Sequence, residues 1–398
     1  MEHALPLVTF GALFLVGLCA DHLGRMTRLP RVTMLLLLGL VVGRSGLDLL
    51  PPQAGDWFEV ISVLALTMVA FLLGADLTRR NLARHGRAIL SISLLVVLGT
   101  TAIVAGGLAA LGLDPGLALL LGAIASATAP AAIADVIRQS GVHNGFTETL
   151  AGVVAIDDVW GLLIFSLCLA LVDQSAVWTG PLVSAGREIG GAVLLGGAIG
   201  APAAYLTGRL KPGEPLQTEA FGIVFLTAGL ALWLEVSFLI AGMTAGALIA
   251  NLARHHDHAF NEIERIELPF MILFFLLAGA SLEIAALWSL GWITAAYVGL
   301  RIAARLISGE IGARLGRVPD AERHFYGPAL LPQAGVAVGM ALVAAESLPD
   351  WGTTIMALAI AAAVVFEILG PPVTMAAIHR VARRTDRGAG TGPRRRAS

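Results

Sequence analysis

The chain has 398 residues, 57% of them hydrophobic and only 14% charged, with a formal net charge of −2. Soluble domains carry roughly 25% charged residues, so a mean hydropathy of +0.82 excludes an ordinary soluble enzyme and reads as an integral membrane protein. Glycine, at 46 residues, suits closely packed membrane helices. Cys19 and Cys168 both lie in apolar runs and read as packing residues, so no disulfide and no resident cofactor is expected, and no nucleic-acid partner.

Taken in chain order, the first run, "MEHALPLVTFGALFLVGLCADHLGR", lacks a basic leader and is expected to be a retained span, not a cleaved signal. Apolar runs of spanning length then begin near Val32, Phe58, Ile89, Gly116, Thr147, Pro181, Glu219, Ser237, Leu268, Leu290, Phe325 and Thr353. The expectation is thirteen helices, with the eighth and ninth meeting at "LEVS" around Glu235. Basic residues test this count, because inner loops collect arginine and lysine. With the N-terminus outside, the inner loops hold Arg25, Arg28 and Arg31, then Arg79, Arg80, Arg84 and Arg87, then Arg138. They continue with Arg209 and Lys211, Arg254 and Arg265, and Arg314, Arg317 and Arg323, whereas the outer loops hold Arg44 and the outer end of helix seven Arg187. The C-terminus is therefore expected inside, with a basic, disordered tail over 381–398 held near anionic lipid.

The sequence echoes itself at a separation of about 205 residues. "LGLVVG" from Leu38 resembles "AGMTAG" from Ala241, "FLLGADL" from Phe71 resembles "LLAGASL" from Leu276, and "SATAP" from Ser126 falls opposite "LPQAG" from Leu331. Helices one to six (about 5–172) would repeat as eight to thirteen (about 219–378), with a connector helix at about 181–207. An odd number of intervening helices inverts the second copy. The expected fold is an all-α polytopic membrane protein with two inverted six-helix repeats, a plan that places a transport site near the midplane.

The chemistry begins with "AGVVAIDDVWGLLIFSLCLALV", a spanning run that carries Asp157 and Asp158. Asp158 is expected about 15 Å along its helix, near mid-bilayer, where a bare carboxylate costs several kcal/mol. Such a group holds either a proton or a cation, and oxygen ligands suit a hard ion such as Na⁺. Neighbours on a helix point about 100° apart, so Asp158 is expected to be the principal carrier and Asp157 its accessory. The competing reading is a pair of structural acids kept wet by a water cavity. In "AIASATAPAAIAD", Pro130 interrupts the fifth helix, and Ser126, Thr128 and the opened carbonyls offer cation ligands. "LLPQAGVAVGM" supplies a matching interruption in the twelfth, with Pro332, Gln333 and Gly335. Two interrupted helices at corresponding places in two repeats point to a transporter site; either alone reads equally well as a packing kink. Arg301 and Arg305, one turn apart in helix eleven, stay charged and need acids or water. The candidate acids are Asp157 and Glu367, the latter in "AVVFEILGPP"; the alternatives are snorkelling for the arginines and a structural role for Glu367.

Together "IDD", "SATAP", "LPQAGVAVG" and "ARLIS" resemble the monovalent cation:proton antiporter superfamily, the bacterial sodium/proton exchangers and their relatives, over nearly the whole chain. The resemblance implies thirteen helices, a homodimer in the bacterial inner membrane, and a six-helix core that rocks to exchange Na⁺, Li⁺ or K⁺ for H⁺ in pH homeostasis. It implies that Asp158 binds the ion with Asp157 as the first acid of the pair, and it gives the basic role to Arg305, although depth favours Arg301; with Thr128 of the broken helix, read from the residues themselves, these acids form the expected cation ligands. This chain departs from family members with an acid where it has Ala129, with Asn at Asp157, or with Lys at Arg305. Arginine does not release a proton, so one-for-one exchange is expected. The alternatives are a potassium-efflux component, whose usual nucleotide-binding domain is not expected after so short a tail, and, remotely, an intramembrane aspartyl protease. The latter needs two acids facing each other across a site, which helix neighbours do not provide.

Overall fold

The computed structural model describes residues 4–27, 29–51, 54–172, 179–207, 216–253, 256–281, 291–333 and 335–389. The described residues are almost wholly helical and contain no strand. In chain order the helices are α1 (Ala4–Thr27), α2 (Arg31–Val42), α3 (Ala54–Asp76), α4 (Arg79–Ala110), α5 (Pro115–Ala125), α6 (Pro130–Ser140), α7 (Gly145–Val172) and α8 (Thr179–Thr207). They continue as α9 (Leu216–Trp233), α10 (Phe238–Leu252), α11 (His256–Ser281), α12 (Trp292–Leu315), α13 (Asp320–Arg323), α14 (Tyr326–Ala329), α15 (Gly335–Ser347) and α16 (Pro349–Ala389). Each of the thirteen expected spans has its helix, the fifth and twelfth each divided in two. Arg28, Arg209, Lys211, Arg254 and the last nine residues lie outside the described residues.

Among the described residues five stretches are long and apolar enough to cross about 30 Å alone, and Arg31–Val42, Val60–Ala75, Thr218–Trp233, Phe238–Leu252 and Val336–Ala345 are shorter apolar helices. The final helix runs on through Ala389, into the segment expected to be disordered.

Local chemistry explains the boundaries. Pro115 occupies the first turn of α5, and the Asp114 carboxylate accepts from the amides of Gly116 (2.8 Å) and Leu117 (3.2 Å), satisfying donors a helix start leaves open. At the start of α7, Asn144 and Thr147 cap each other: Thr147 N–H donates to Asn144 Oδ1 (3.0 Å) and Asn144 N–H to Thr147 Oγ1 (3.1 Å), a reciprocal cap. α6 ends at Gly141, whose φ of +64° is the left-handed stop that glycine adopts without penalty.

The helices gather into two bundles. One contains α4 to α7, α12 and α14 to α16; the other contains α1 to α3 and α8 to α11, with α8 also packing on α7. The echoed motifs pack in exchanged pairs. Gly39 and Gly43 of α2 lie against the backbone of Leu276 and Ala280 of α11, and Gly246 of α10 lies against Phe71 of α3. Thus "LGLVVG" meets "LLAGAS", and its echo "AGMTAG" meets "FLLGADL". Such reciprocity is what a two-fold relation between two copies produces, and small residues let the backbones approach. α4 packs on its own counterpart α12, with Gly312 against Ile92.

Candidate ion site

The two interruptions meet. Between α5 and α6 the backbone is extended at Ala129 (φ −115°, ψ 90°), and the Ala129 N–H donates to the Pro332 carbonyl at 3.1 Å. Gln333 Nε2 donates to Ile124 O at 3.1 Å. Thr374 of α16 donates to Ala329 O at 3.0 Å, which ties the end of α14 to the same knot.

Breaking α5 exposes carbonyls that no helix satisfies, and both arginines are spent on them. Arg301 Nε donates to Ala125 O (2.9 Å), Nη2 to Ala127 O (2.9 Å) and Nη1 to Leu331 O (2.8 Å), while its guanidinium lies 4.1 Å over the Phe366 ring. Arg305 Nη2 donates to Ser126 O (2.5 Å) and Ala127 O (2.9 Å). Tyr297 adds a bond to Leu121 O (3.2 Å). Both arginines are fully buried, so neither snorkels. The cations sit at the C-terminal ends of half-helices, where the helix dipole is negative. This revises the sequence reading at two places. The opened carbonyls of residues 125–127 are occupied by guanidinium, not free for an ion. Arg301 is held mainly by carbonyls and an aromatic face in place of an acid.

Arg305 does face an acid: its Nη1 lies 3.7 Å from Asp157 Oδ2, an ion-pair distance too long for a hydrogen bond. Asp157 is buried and Asp158, near the middle of α7, turns to the other side and lines a cavity of about 660 Å³. Thr128, Ala129 and Pro130 line the same cavity. Thr128 Oγ1, both Asp157 oxygens and Asp158 Oδ1 are buried with no hydrogen-bond partner. Native interiors rarely leave such groups unpaired, so this cluster of acceptors calls for a ligand that brings positive charge. Ser126 is buried and its Oγ donates to Ala123 O at 2.7 Å, which directs its lone pairs away from that carbonyl. Glu367 Oε2 is also buried without a partner, and Glu367 makes no ion pair with either arginine; the pairing considered from sequence is absent among the described residues. Pro332 and Gln333 form the crossing, and Gly335 opens α15, whose Val336, Gly339 and Met340 wall the cavity.

The cavity climbs from Asp158 past Leu162, Phe165 and Leu169 of α7 to Glu188 of α8 and Glu235. Glu235 sits in the α9–α10 turn with φ +54°, on the face opposite the arginine-rich loops. The lining therefore extends to the arginine-poor side of the molecule.

The sequence profile of the family described as sodium/hydrogen exchanger, transmembrane, matches residues 10–379. The chain belongs to the sodium/hydrogen exchanger family, which makes it a cation:proton antiporter of the membrane. Over 284 residues, 70% of each chain, it is 23% identical to the ammonium/H⁺ antiporter subunit AmhT of Alkalihalophilus pseudofirmus. Over 298 residues, 69% of each chain, it is 23% identical to the probable Na⁺/H⁺ antiporter 2 of Methanocaldococcus jannaschii. Its fold matches the structure of the sodium proton antiporter MjNhaP1 from the same archaeon at pH 8, with a TM-score of 0.73, 18% identity, and coverage of 98% of this chain and 99% of that one.

Proposed function

We propose that the protein exchanges a monovalent cation, Na⁺ first among the candidates, for H⁺ by alternating access, with Asp158 holding the cation and the proton in turn. It acts as a transporter and not as an enzyme. The observation that carries this reading is Asp158, whose Oδ1 is buried without a hydrogen-bond partner, beside Thr128 and the Arg305-paired Asp157, on a cavity between the two bundles. A lone carboxylate in so apolar a place is costly; protonation or a bound cation removes the cost, and the two occupants exclude each other. Asp157, balanced by Arg305, fixes the field without leaving its place. Because Arg301 and Arg305 neutralise the carbonyl ends of the broken helices, selectivity falls to the carboxylates and Thr128.

The arginine-rich face is the cytoplasmic one by the charge rule, which sets the N-terminus outside in a bacterial inner membrane, and the working unit is a homodimer. Ammonium belongs in the substrate panel, because AmhT is named for it and four N–H donors would satisfy the same acceptors. A potassium-efflux component is the remaining alternative. Proton flux into proteoliposomes, driven by Na⁺, Li⁺, K⁺ and NH₄⁺ in turn across a range of pH, tests the reading. Flux driven by none of them would end it, and flux driven by K⁺ alone would favour the efflux alternative.

A further inference from the structure

The cavity at Asp158 is lined as far as Glu188 and Glu235 on the arginine-poor side, and alternating access requires a closure on the other. α6, the half-helix that leaves the crossing at Pro130, carries Asp135, Arg138 and Gln139. All three reach across to the second bundle. Arg31, the first residue of α2, donates from Nη2 to Asp135 Oδ1, and its backbone N–H donates to Gln139 Oε1 at 2.8 Å. Arg138 grips Glu267 of α11 with both terminal nitrogens, Nη2 to Oε1 at 2.5 Å and Nη1 to Oε2. Two residues of α6 thus form ion pairs with two different helices of the opposite bundle, one to two turns beyond the site.

Three features distinguish this clamp from ordinary packing. Both carboxylates are about 1% exposed, whereas Arg31 and Arg138 are 20% and 28% exposed and border a second, polar cavity of about 490 Å³ on the arginine-rich side. Water is therefore at hand to take over each charge when the pair parts. Asp135 Oδ2 has no hydrogen-bond partner although it is buried, so the clamp is not saturated as a permanent joint would be. Buried ion pairs contribute little net stability compared with apolar packing and are better suited to selecting one arrangement among several. Next to the clamp the bundles meet through apolar side chains, with Ala131, Ala132, Met271 and Phe274 in one cluster.

We propose that Arg31–Asp135 and Arg138–Glu267, with Gln139 on the α2 N-terminus, are the closed gate of the arginine-rich side, and that both pairs part once in each transport cycle. The inference rests on the alternating-access reading above. α6 begins at the interruption that carries Thr128, so releasing it from α2 and α11 frees the ion site to move relative to the second bundle. The gate residues position the site; none of them touches the ion.

The test uses the full-length protein in membranes, with Cys19→Ala and Cys168→Ala as background and Ala132→Cys as reporter behind the gate. A membrane-impermeant thiol reagent is applied from each side in turn. With the native pairs, labelling comes from the arginine-poor side. Neutralising both pairs without stranding a charge (Arg31→Gln with Asp135→Asn, and Arg138→Gln with Glu267→Gln) should raise labelling from the arginine-rich side by roughly tenfold or more, the ratio one lost contact implies. Exchanging the charges of the second pair (Arg138→Glu with Glu267→Arg), with the first left native, should keep the rate near the native one. Unchanged labelling from the arginine-rich side in the folded neutral variant would overturn the gate. If that variant does not fold, Arg31→Cys with Asp135→Cys joined by a short bis-thiol cross-linker decides: cation-driven proton flux should stop when the link forms and return when it is cleaved, and undiminished flux in the linked protein would overturn the gate. Labelling needs no transport, so a native protein that shows sided labelling but no flux would sink the antiport reading and leave the gate standing.

Discussion

The amide of Ala129 and the carbonyl of Pro332 are joined by a 3.1 Å hydrogen bond, so two interruptions some 200 residues apart in sequence are one structural object. Around that bond, Arg301 and Arg305 saturate the freed carbonyls, Arg305 also faces Asp157, and Asp158 is left as the acceptor in want of positive charge.

Asp158→Asn removes the charge that a cation and a proton compete for while keeping shape and volume. Cation-driven proton flux in proteoliposomes should fall to background while the variant stays monodisperse with an unchanged or higher Tm, since a buried charge has been removed. Retained flux would contradict the assignment.

Proton and cation share one carboxylate, so the cation binds only the deprotonated form. Raising the pH frees the site, and the apparent KM for the cation should fall as pH rises, by roughly tenfold per unit on the acidic side and then levelling off. Measuring KM at several pH values checks the sign; a KM that rises with pH in this range would not fit.

Arg301 holds three otherwise unpaired carbonyls. Arg301→Met keeps much of the volume but strands them, at about 1–3 kcal/mol each, so Tm should drop by roughly 5 °C or more. Arg301→Lys should recover only part of this, because an ammonium cannot fork among three carbonyls as a guanidinium does.

Arg305 beside Asp157 cannot give up a proton during the cycle, so exchange should be one-for-one and electrically silent. Flux should be the same with the membrane potential clamped at different values, and a sustained current on a supported membrane would contradict it.

A Cβ on Gly43 or Gly246 would run into the backbone of Ala280 or Phe71, whereas one on Gly106 meets nothing. Gly43→Val and Gly246→Val should each lose folded protein, overpacking costing about 1–3 kcal/mol or more. Gly106→Val should be tolerated. Fluorescence size-exclusion profiles of the three variants make the comparison.

The sequence displayed what depends on neighbours along the chain. Spanning runs, the prolines that break α5 and the twelfth span, and the adjacent acids of α7 are all local signals, and each was legible. Long-range pairings were not. The carbonyl partners of Arg301 and Arg305 lie up to 180 residues away, and a backbone carbonyl leaves no mark in sequence. The motif echo was legible, but its consequence was not: a repeat shows which segments are equivalent, while the two-fold relation puts each against the partner's other half. Asp135, Arg138 and Glu267 escaped because charges near a helix end read as ordinary loop residues. The available signal was Asp135 and Arg138 one turn apart, on a half-helix leading from the break.

If Asp158 trades a proton for a cation, cation binding must itself release protons. In weakly buffered detergent solution, adding Na⁺ to the proton-loaded protein should release one H⁺ per cation bound, and none from Asp158→Asn. Equal release from the Asn variant, or Na⁺ binding by the native protein without any proton appearing, would contradict the account.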